Sequence, residues 1–177
     1  MTLFEIIALV VIAALLLWAV VIFNALVRDK NRVLAAWSDI DVQLKRRRDL
    51  IPKLIEAVKQ YTAYEKATLE GVTALRVKAE QVQDIAEQGR IESALGADLR
   101  RLVAVAERYP ELQASQGFLD LQSNITDTEN HIQMARRYYN GAVRNLNTRI
   151  DSFPDLLVAR LFGFRPGQLF EMEERPD

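Results

Sequence analysis

Residues 6–23 read IIALVVIAALLLWAVVIF, an unbroken run of eighteen apolar side chains. At a rise of about 1.5 Å per residue, a helix of this length covers roughly 27 Å, close to the hydrocarbon thickness of a bilayer. Leu26 and Val27 extend the run, so residues 6–27 are predicted to form one transmembrane helix after a short tail at residues 1–5. No basic residue precedes the run, which argues against a cleaved signal peptide.

Charged residues at the two ends of the predicted span set its orientation. Arg28, Lys30 and Arg32 follow the span, whereas Glu5 precedes it. The positive-inside rule therefore predicts an N-terminus outside and a C-terminal domain in the cytoplasm. The same three basic side chains lie close enough to the bilayer surface to contact lipid headgroups, and we predict that they do.

Composition excludes several classes of function. Without the span, about 150 residues remain, which is enough for one compact domain. The chain has no cysteine and one histidine, so it lacks a disulfide framework and the usual zinc ligands. A formal net charge of −1 gives no signature of nucleic-acid binding. Because there is also no phosphate-binding loop or nucleophile elbow, the sequence predicts no enzyme, no cofactor and no nucleic-acid partner.

Apolar residues beyond the span follow helical spacing, and no segment alternates as a strand would. The clearest heptad runs from Phe118 to Leu146, in the pattern of a bundle or coiled-coil seam. Gly89 is predicted to cap or turn a helix end. The fold class predicted is all-α: the transmembrane helix continues into an antiparallel, up-and-down bundle of three or four helices at residues 28–164. Residues 165–177 are predicted to be an acidic, frayed tail.

The segment after the span contains a proline and a run of four basic residues. Pro52 favours a kinked continuous helix over a hairpin, because no loop residues separate Asp49 from the preceding helix. The four basic residues 45–48 cover all sides of that helix and are mostly a solvated surface. Arg47, however, lies on the same face as Leu44, so it must be buried with a carboxylate or mark a wet end of the core.

Two stretches resemble the LemA family of bacterial membrane proteins. They are NRVLAAWSDIDVQLKRRRDLIPKLIEAVKQY at residues 31–61 and ARRYYNGAVRNLNTRIDSFPDLLVARLFGF at residues 135–164. The specific positions are Trp37, Ile40-Asp41-Val42-Gln43-Leu44, Asp49-Leu50-Ile51-Pro52, Tyr139-Asn140 and Phe153-Pro154. Tyr64 departs from the family, which commonly has histidine there, so any role of that histidine does not transfer.

The resemblance implies a single-pass protein of the bacterial inner membrane with a cytoplasmic helical bundle and no established catalytic or cofactor residues. It also implies relatives that act in building magnetosome membranes and members that are linked to membrane proteases. These properties are expectations for the present chain.

Two functional hypotheses follow. The first is a membrane-anchored, non-enzymatic scaffold or adaptor that self-associates and contacts membrane lipids and other membrane proteins, such as proteases. Its candidate protein-contact residues are Tyr138, Phe162 and Phe164. The alternative is a membrane-tethered sensory bundle that binds a ligand between its helices, motivated by polar residues in apolar seams at Glu65, Thr68 and Thr128.

Overall fold

The computed structural model describes residues 2–60, 66–106 and 108–172, and these residues are mostly helical and contain no strand. The prediction of an all-α fold is therefore confirmed. The four long helices are α1 (Leu3–Lys59), α2 (Lys66–Gln81), α3 (Ile85–Ala106) and α5 (Gln116–Asp151). Two short helices, α4 (Pro110–Gln113) and α6 (Asp155–Leu161), precede and follow α5.

Helix α1 is 57 residues long and passes through Pro52 without a break. A proline in a helix removes one backbone hydrogen bond, here the bond to the carbonyl of Arg48. The apolar side chains Ile51 and Leu54, on either side of the proline, are buried at 1% and 0% exposure. This packing holds the segment helical, so the prediction of a continuous helix is confirmed over a hairpin.

The chain divides into two compact units. Unit 1 contains the described residues up to Ala36 together with Asn140–Gly167, and unit 2 contains Trp37–Tyr139 together with the described residues from Gln168 onward. Both α1 and α5 contribute residues to each unit. The sequence-based boundaries at residues 27 and 164 are not tested by this division and stay a prediction.

Unit 1 is built where α5 and α6 pack on α1. Its apolar cluster contains six buried side chains: Ile22, Leu26, Leu146, Ile150, Val158 and Ala159. An ion pair ties the same three helices together, because Arg149 donates from Nε to Asp29 (2.6 Å) and from Nη1 to Asp155 (3.2 Å). The first α1 residue of this cluster, Ile22, directly follows the mostly exposed apolar stretch at residues 3–21.

Unit 2 has the larger core, to which α1, α2, α3 and α5 all contribute. The steps of three and four between its apolar residues place them on one face of each helix. Its buried members include Ile51, Leu54, Val58, Leu69, Val72, Leu95, Leu99, Leu102, Phe118 and Ile125.

Gly89 lies inside α3, so its prediction as a helix cap or turn is wrong. The helix begins after Asp84, whose carboxylate accepts a hydrogen bond from the backbone N–H of Glu87 (2.8 Å), the geometry of an N-cap. The glycine has a packing reason instead. A Cβ at this position would overlap the carbonyl oxygen of Glu171 and lie 3.1 Å from its carbonyl carbon. Glycine therefore lets the C-terminal segment lie directly on α3.

The C-terminal segment, residues 168–172, is packed rather than frayed, and the tail prediction is wrong for these residues. Phe170 is fully buried, with its ring edge-on to Trp37 at 5.5 Å between centroids. The hydroxyl of Tyr139 donates to the carbonyl of Gln168 (2.8 Å). The burial of the Phe170 ring outweighs the conformational entropy lost when this short segment is ordered. The acidic composition of residues 165–177 gives no sign of that burial. Residues 173–177 lie outside the described part of the chain.

The Gly89→Ala variant is expected to weaken unit 2. In an unobstructed helix, alanine would stabilise by about 1 kcal/mol, but here the methyl group must displace the segment that buries Phe170, at a cost of about 1–3 kcal/mol. The measurement is urea unfolding in detergent micelles followed by the fluorescence of Trp37. A Trp18→Phe background leaves this residue as the sole reporter, since the chain has two tryptophans.

Gly71→Ala is the matched control for this experiment. Its added Cβ would meet only the carboxylate of Asp98, at an ordinary 3.7 Å, so the variant should be neutral or more stable. Equal stability of the two variants would contradict docking of the C-terminal segment on α3.

Candidate functional site

The N-terminal part of α1 presents an apolar surface with no protein cover. Its most apolar 18-residue window has a mean hydropathy of 3.3, and 6% of that window is buried. Between Leu3 and Val21, every side chain is exposed except those of Ala8 and Ala19, which are half-buried. A helix that is apolar on all sides suits a lipid environment. By length and composition, it is the one helix among the described residues that could span a membrane.

The three predicted headgroup contacts follow this surface after residues 22–27, and all three are solvent-exposed. Arg28 and Lys30 are exposed on α1, and Arg32 forms a weak ion pair with Asp29 at 3.3 Å. Asp29 itself is buried and is held mainly by Arg149 at 2.6 Å. Its charge is therefore neutralised inside unit 1, which leaves the basic side chains as the outward-facing charges of this turn. Lipid contact by these residues stays a prediction.

Two of the three predicted protein-contact residues come together in unit 1. The ring of Phe162 lies 4.8 Å from that of Phe23, and the ring of Phe164 lies 5.8 Å from it, edge-on. Phe164 is half-buried, whereas Phe162 remains 56% exposed. Phe164 thus supports the fold, and Phe162 keeps most of an aromatic face available for contact.

The third predicted contact residue, Tyr138, belongs to unit 2 and lies on the outer face of α5. It is 60% exposed, and Met134, one helical turn earlier, is 51% exposed. Its neighbour Tyr139 points inward instead, 5.3 Å from Trp37, and burial raises the pKa of the Tyr139 hydroxyl. The two adjacent tyrosines therefore separate into a core residue and an exposed one.

A buried charge cluster joins α1, α3 and α5 in unit 2. Arg47 is fully buried and donates from Nη1 to the carboxylate of Glu129 (2.7 Å). Its Nη2 donates to both the carboxylate and the backbone carbonyl of Glu92, the latter at 2.9 Å. The prediction that Arg47 is buried with a carboxylate is confirmed.

Arg48 is also buried, so the interpretation of residues 45–48 as a solvated, salt-bridged surface is wrong in its solvation for this residue, although its salt bridge is present. It donates to the other carboxylate oxygen of Glu92 (3.2 Å) and to the carbonyl of Ala79 (3.0 Å). Leu44 and Ile51 are both buried, and Arg47 and Arg48 lie between them at spacings of three and four. They therefore share one helix face.

The charge cluster of Arg47, Arg48, Glu92 and Glu129 contains two charges of each sign and is therefore balanced. Burial alone lowers the pKa of Arg47, but the charges of Glu129 and Glu92 more than offset this, and the net result is a raised pKa. Gly96 makes room for the guanidinium, since a Cβ there would lie 3.3 Å from Arg47 Nη1. The arrangement fixes three helices together through hydrogen bonds from Nη1 and Nη2 of Arg47, whereas its buried Nε has no hydrogen-bond partner among the described residues.

Neither carboxylate of this cluster was predicted from the sequence. A signal was present, because Glu92 lies among Ile91 and Leu95 on an apolar face, and Glu129 lies between Ile125 and Ile132 in the heptad. Among the described residues, histidine, aspartate and glutamate form no group of three or more that could hold a metal ion.

The Arg47→Met variant is expected to destabilise unit 2 by about 3–5 kcal/mol, because Glu92 and Glu129 would be left without their buried partner. Arg47→Lys should recover only part of the loss, since a single ammonium does not reproduce the fork of the guanidinium. The measurement is urea unfolding followed by Trp37 fluorescence.

Arg46→Met is the control for this comparison. It removes the same charge from the adjacent, exposed position and should change stability by no more than about 0.5 kcal/mol. If both methionine variants lost equal stability, the cause would be net charge and the buried cluster would not be the determinant.

The LemA family profile matches residues 36–177. The chain is 29% identical to protein LemA of Metamycoplasma hominis, over 85% of this chain and 69% of that protein. It is 24% identical to magnetosome protein MamQ 2 of Paramagnetospirillum magneticum and 23% identical to magnetosome protein MamQ of Magnetospirillum gryphiswaldense. Each of these alignments covers 87% of this chain and 65% of the relative, so the chain spans less than two thirds of their length.

The family profile covers unit 2 entirely, including Arg47, Glu92 and Glu129, and it also covers the Asn140–Gly167 part of unit 1. The match includes both stretches on which the sequence resemblance rests, apart from the first five residues of residues 31–61. This chain, a helical protein with a candidate N-terminal membrane helix, belongs to the LemA family.

Proposed function

We propose that this protein is a membrane-anchored, non-enzymatic scaffold or adaptor of the bacterial inner membrane that acts through self-association and contacts with other membrane proteins. The observation that carries the proposal is the uncovered apolar surface from Leu3 to Val21, which belongs to the same helix as the buried face of unit 2. A helix that serves both as anchor and as core element attaches the folded part of the chain to the bilayer without a linker.

Self-association is supported by exposed apolar side chains on the long helices of unit 2. Met134 and Tyr138 lie one turn apart on α5, and Val42 is 59% exposed on α1. Surface apolar residues at helical spacing suit contacts with another helix. Similarity to magnetosome proteins is compatible with this role.

Ligand sensing is the second candidate, and a groove between two helices supports it better than the polar residues in the apolar seams do. Thr128 is buried, but its hydroxyl donates to the carbonyl of Asn124 (2.7 Å) in its own helix, so it is satisfied locally. Glu65 lies outside the described residues. A groove of about 420 Å³ between α3 and α5 is the remaining observation, lined by Gly96, Arg100, Ile125, Glu129 and their neighbours.

Self-association is tested by cysteine crosslinking in native membranes, which the cysteine-free chain allows. Tyr138→Cys and Met134→Cys should each give crosslinked dimers of the full-length chain because both positions are exposed on one face. Arg108→Cys, exposed between α3 and α4, is the control and should crosslink less. Mass spectrometry of the products separates self-association from adaptor contacts with another protein.

Two results together would refute the scaffold. They are the absence of any specific crosslinked product at positions 134 and 138, and a monomer by light scattering in detergent at every concentration. Protection of the groove residues by a bound small molecule would then favour the sensory candidate.

Orientation is tested separately with the same cysteine-free background. The positive charges after the span predict that Thr2→Cys in intact spheroplasts reacts with a membrane-impermeant maleimide. Arg108→Cys should react only after the membrane is permeabilised. The opposite pattern would reverse the proposed topology, with the N-terminus inside.

A further inference from the structure

We propose that α6 and the turns at its two ends form a second membrane contact, which inserts into the bilayer interface beside the transmembrane helix. The contact surface, called the α6 patch, consists of four side chains: Phe153, Leu157, Leu161 and Phe162. The inference rests on the proposed membrane anchoring and adds to it a specific lipid-binding surface outside the span.

Helix α6 is apolar on two faces, and only one of them is used by the protein. Val158 and Ala159 are buried in the unit 1 cluster at 5% and 0% exposure. Leu157 and Leu161, one turn apart, are 57% and 79% exposed. A short surface helix in water would carry polar side chains on its outer face. The outward-facing leucines therefore indicate that an apolar environment covers that face.

Flanking aromatic residues extend the same apolar surface. Phe153, in the turn before α6, is 80% exposed, and Phe162, directly after the helix, is 56% exposed. Together with the two leucines, they give four large apolar side chains within ten residues of sequence. Exposed apolar clusters of this kind mark interaction sites with proteins or membranes.

Contacts within unit 1 place the α6 patch at the edge of the uncovered part of α1. That part ends at Val21, and Phe23, two residues later, holds the ring of Phe162 at 4.8 Å. At the other end of the patch, Ile150 shares the apolar cluster of Ile22 and comes three residues before Phe153. The Phe162 end of the patch is thus held at the turn of α1 that follows the uncovered surface, and the Phe153 end follows a helix whose last turn packs in the same cluster.

The length of the uncovered part of α1 also places the α6 patch at the bilayer interface. The uncovered residues 3–21 extend about 28 Å as a helix, which matches the hydrocarbon thickness. If this stretch fills the hydrocarbon region, the next turn of α1 lies at the boundary with the headgroups, and the α6 patch lies there with it. Amphipathic elements at this depth bury their apolar side chains among the upper acyl chains.

Charges around the patch favour lipid over a protein partner. Arg160 is exposed on α6, and Arg28 is exposed on α1 just beyond the cluster, so both long side chains can reach headgroup phosphates. The carboxylate of Asp155, at the start of α6, is held by Arg149. Continuity with the uncovered surface of α1 means that one bilayer would cover both apolar regions.

The test places a fluorescent label at single cysteines in the full-length chain, reconstituted into phosphatidylcholine–phosphatidylglycerol vesicles. Leu157→Cys and Leu161→Cys report on the patch, Leu16→Cys reports on the span, and Asn145→Cys is an exposed control on α5 of unit 1. Iodide, loaded on both sides of the membrane, quenches labels in water, and lipids with a nitroxide on the upper acyl chain quench labels at the interface.

Labels at positions 157 and 161 should lose most of their iodide quenching relative to position 145 and should gain quenching by the nitroxide lipid. Because both leucines are exposed, labelling should not disturb folding, and unchanged helical content by circular dichroism verifies this.

Three outcomes would overturn the proposal. Iodide quenching at position 161 equal to that at position 145, with position 16 protected, would reject the α6 patch while the anchor stands. Iodide access at position 16 as well would reject both the anchor and the patch. Protection of position 161 from both quenchers would show that protein, not lipid, covers the surface.

Discussion

The fold of unit 2 depends on the burial of Arg47. A guanidinium removed from water is costly unless its charge is balanced, and here one carboxylate from α3 and one from α5 balance it and accept hydrogen bonds from Nη2 and Nη1. Because an unmatched charge would cost several kcal/mol, the cluster strongly disfavours any register in which α3 or α5 slides along α1. Apolar side chains alone tolerate such slips far better. The surrounding leucines and isoleucines supply most of the burial, and the ion cluster decides which alignment of the helices has the lowest free energy.

Local features of the sequence were sufficient for the all-helical fold, the continuous path through Pro52 and the burial of Arg47. Each follows from spacing within one helix. The partners of Arg47 did not follow, because Glu92 and Glu129 are 45 and 82 residues away and their approach depends on how the helices pack. Gly89 was misassigned because a glycine near a helix end and a glycine at a close contact look alike in sequence. The burial of Phe170 was not predicted, because the C-terminal sequence around it is acidic. This burial depends on packing against Trp37, which is distant in sequence.

Membership of the LemA family and the apolar part of α1 are both consistent with a membrane-associated protein. The described residues present apolar surface where a bilayer or another helix would contact them, and their buried ion cluster is occupied by internal partners. The proposed role as a scaffold therefore rests on surfaces: the span, the outer face of α5 and the α6 patch. A surface-based function of this kind depends on which side chains face outward, as the contrasting neighbours Tyr138 and Tyr139 illustrate.

The order of the two units along the chain has a consequence for how this protein can be dissected. Unit 2 is interrupted by residues 140–167 of unit 1, and its core is completed by Phe170 after that excursion. A contiguous fragment that contains all of one unit therefore also contains residues of the other. A soluble version that begins after the predicted span, at residue 28, would deprive Leu146 and Ile150 of Ile22 and Leu26. The units are thus interleaved rather than modular, so recombination at a single point cannot transfer one of them intact to another protein.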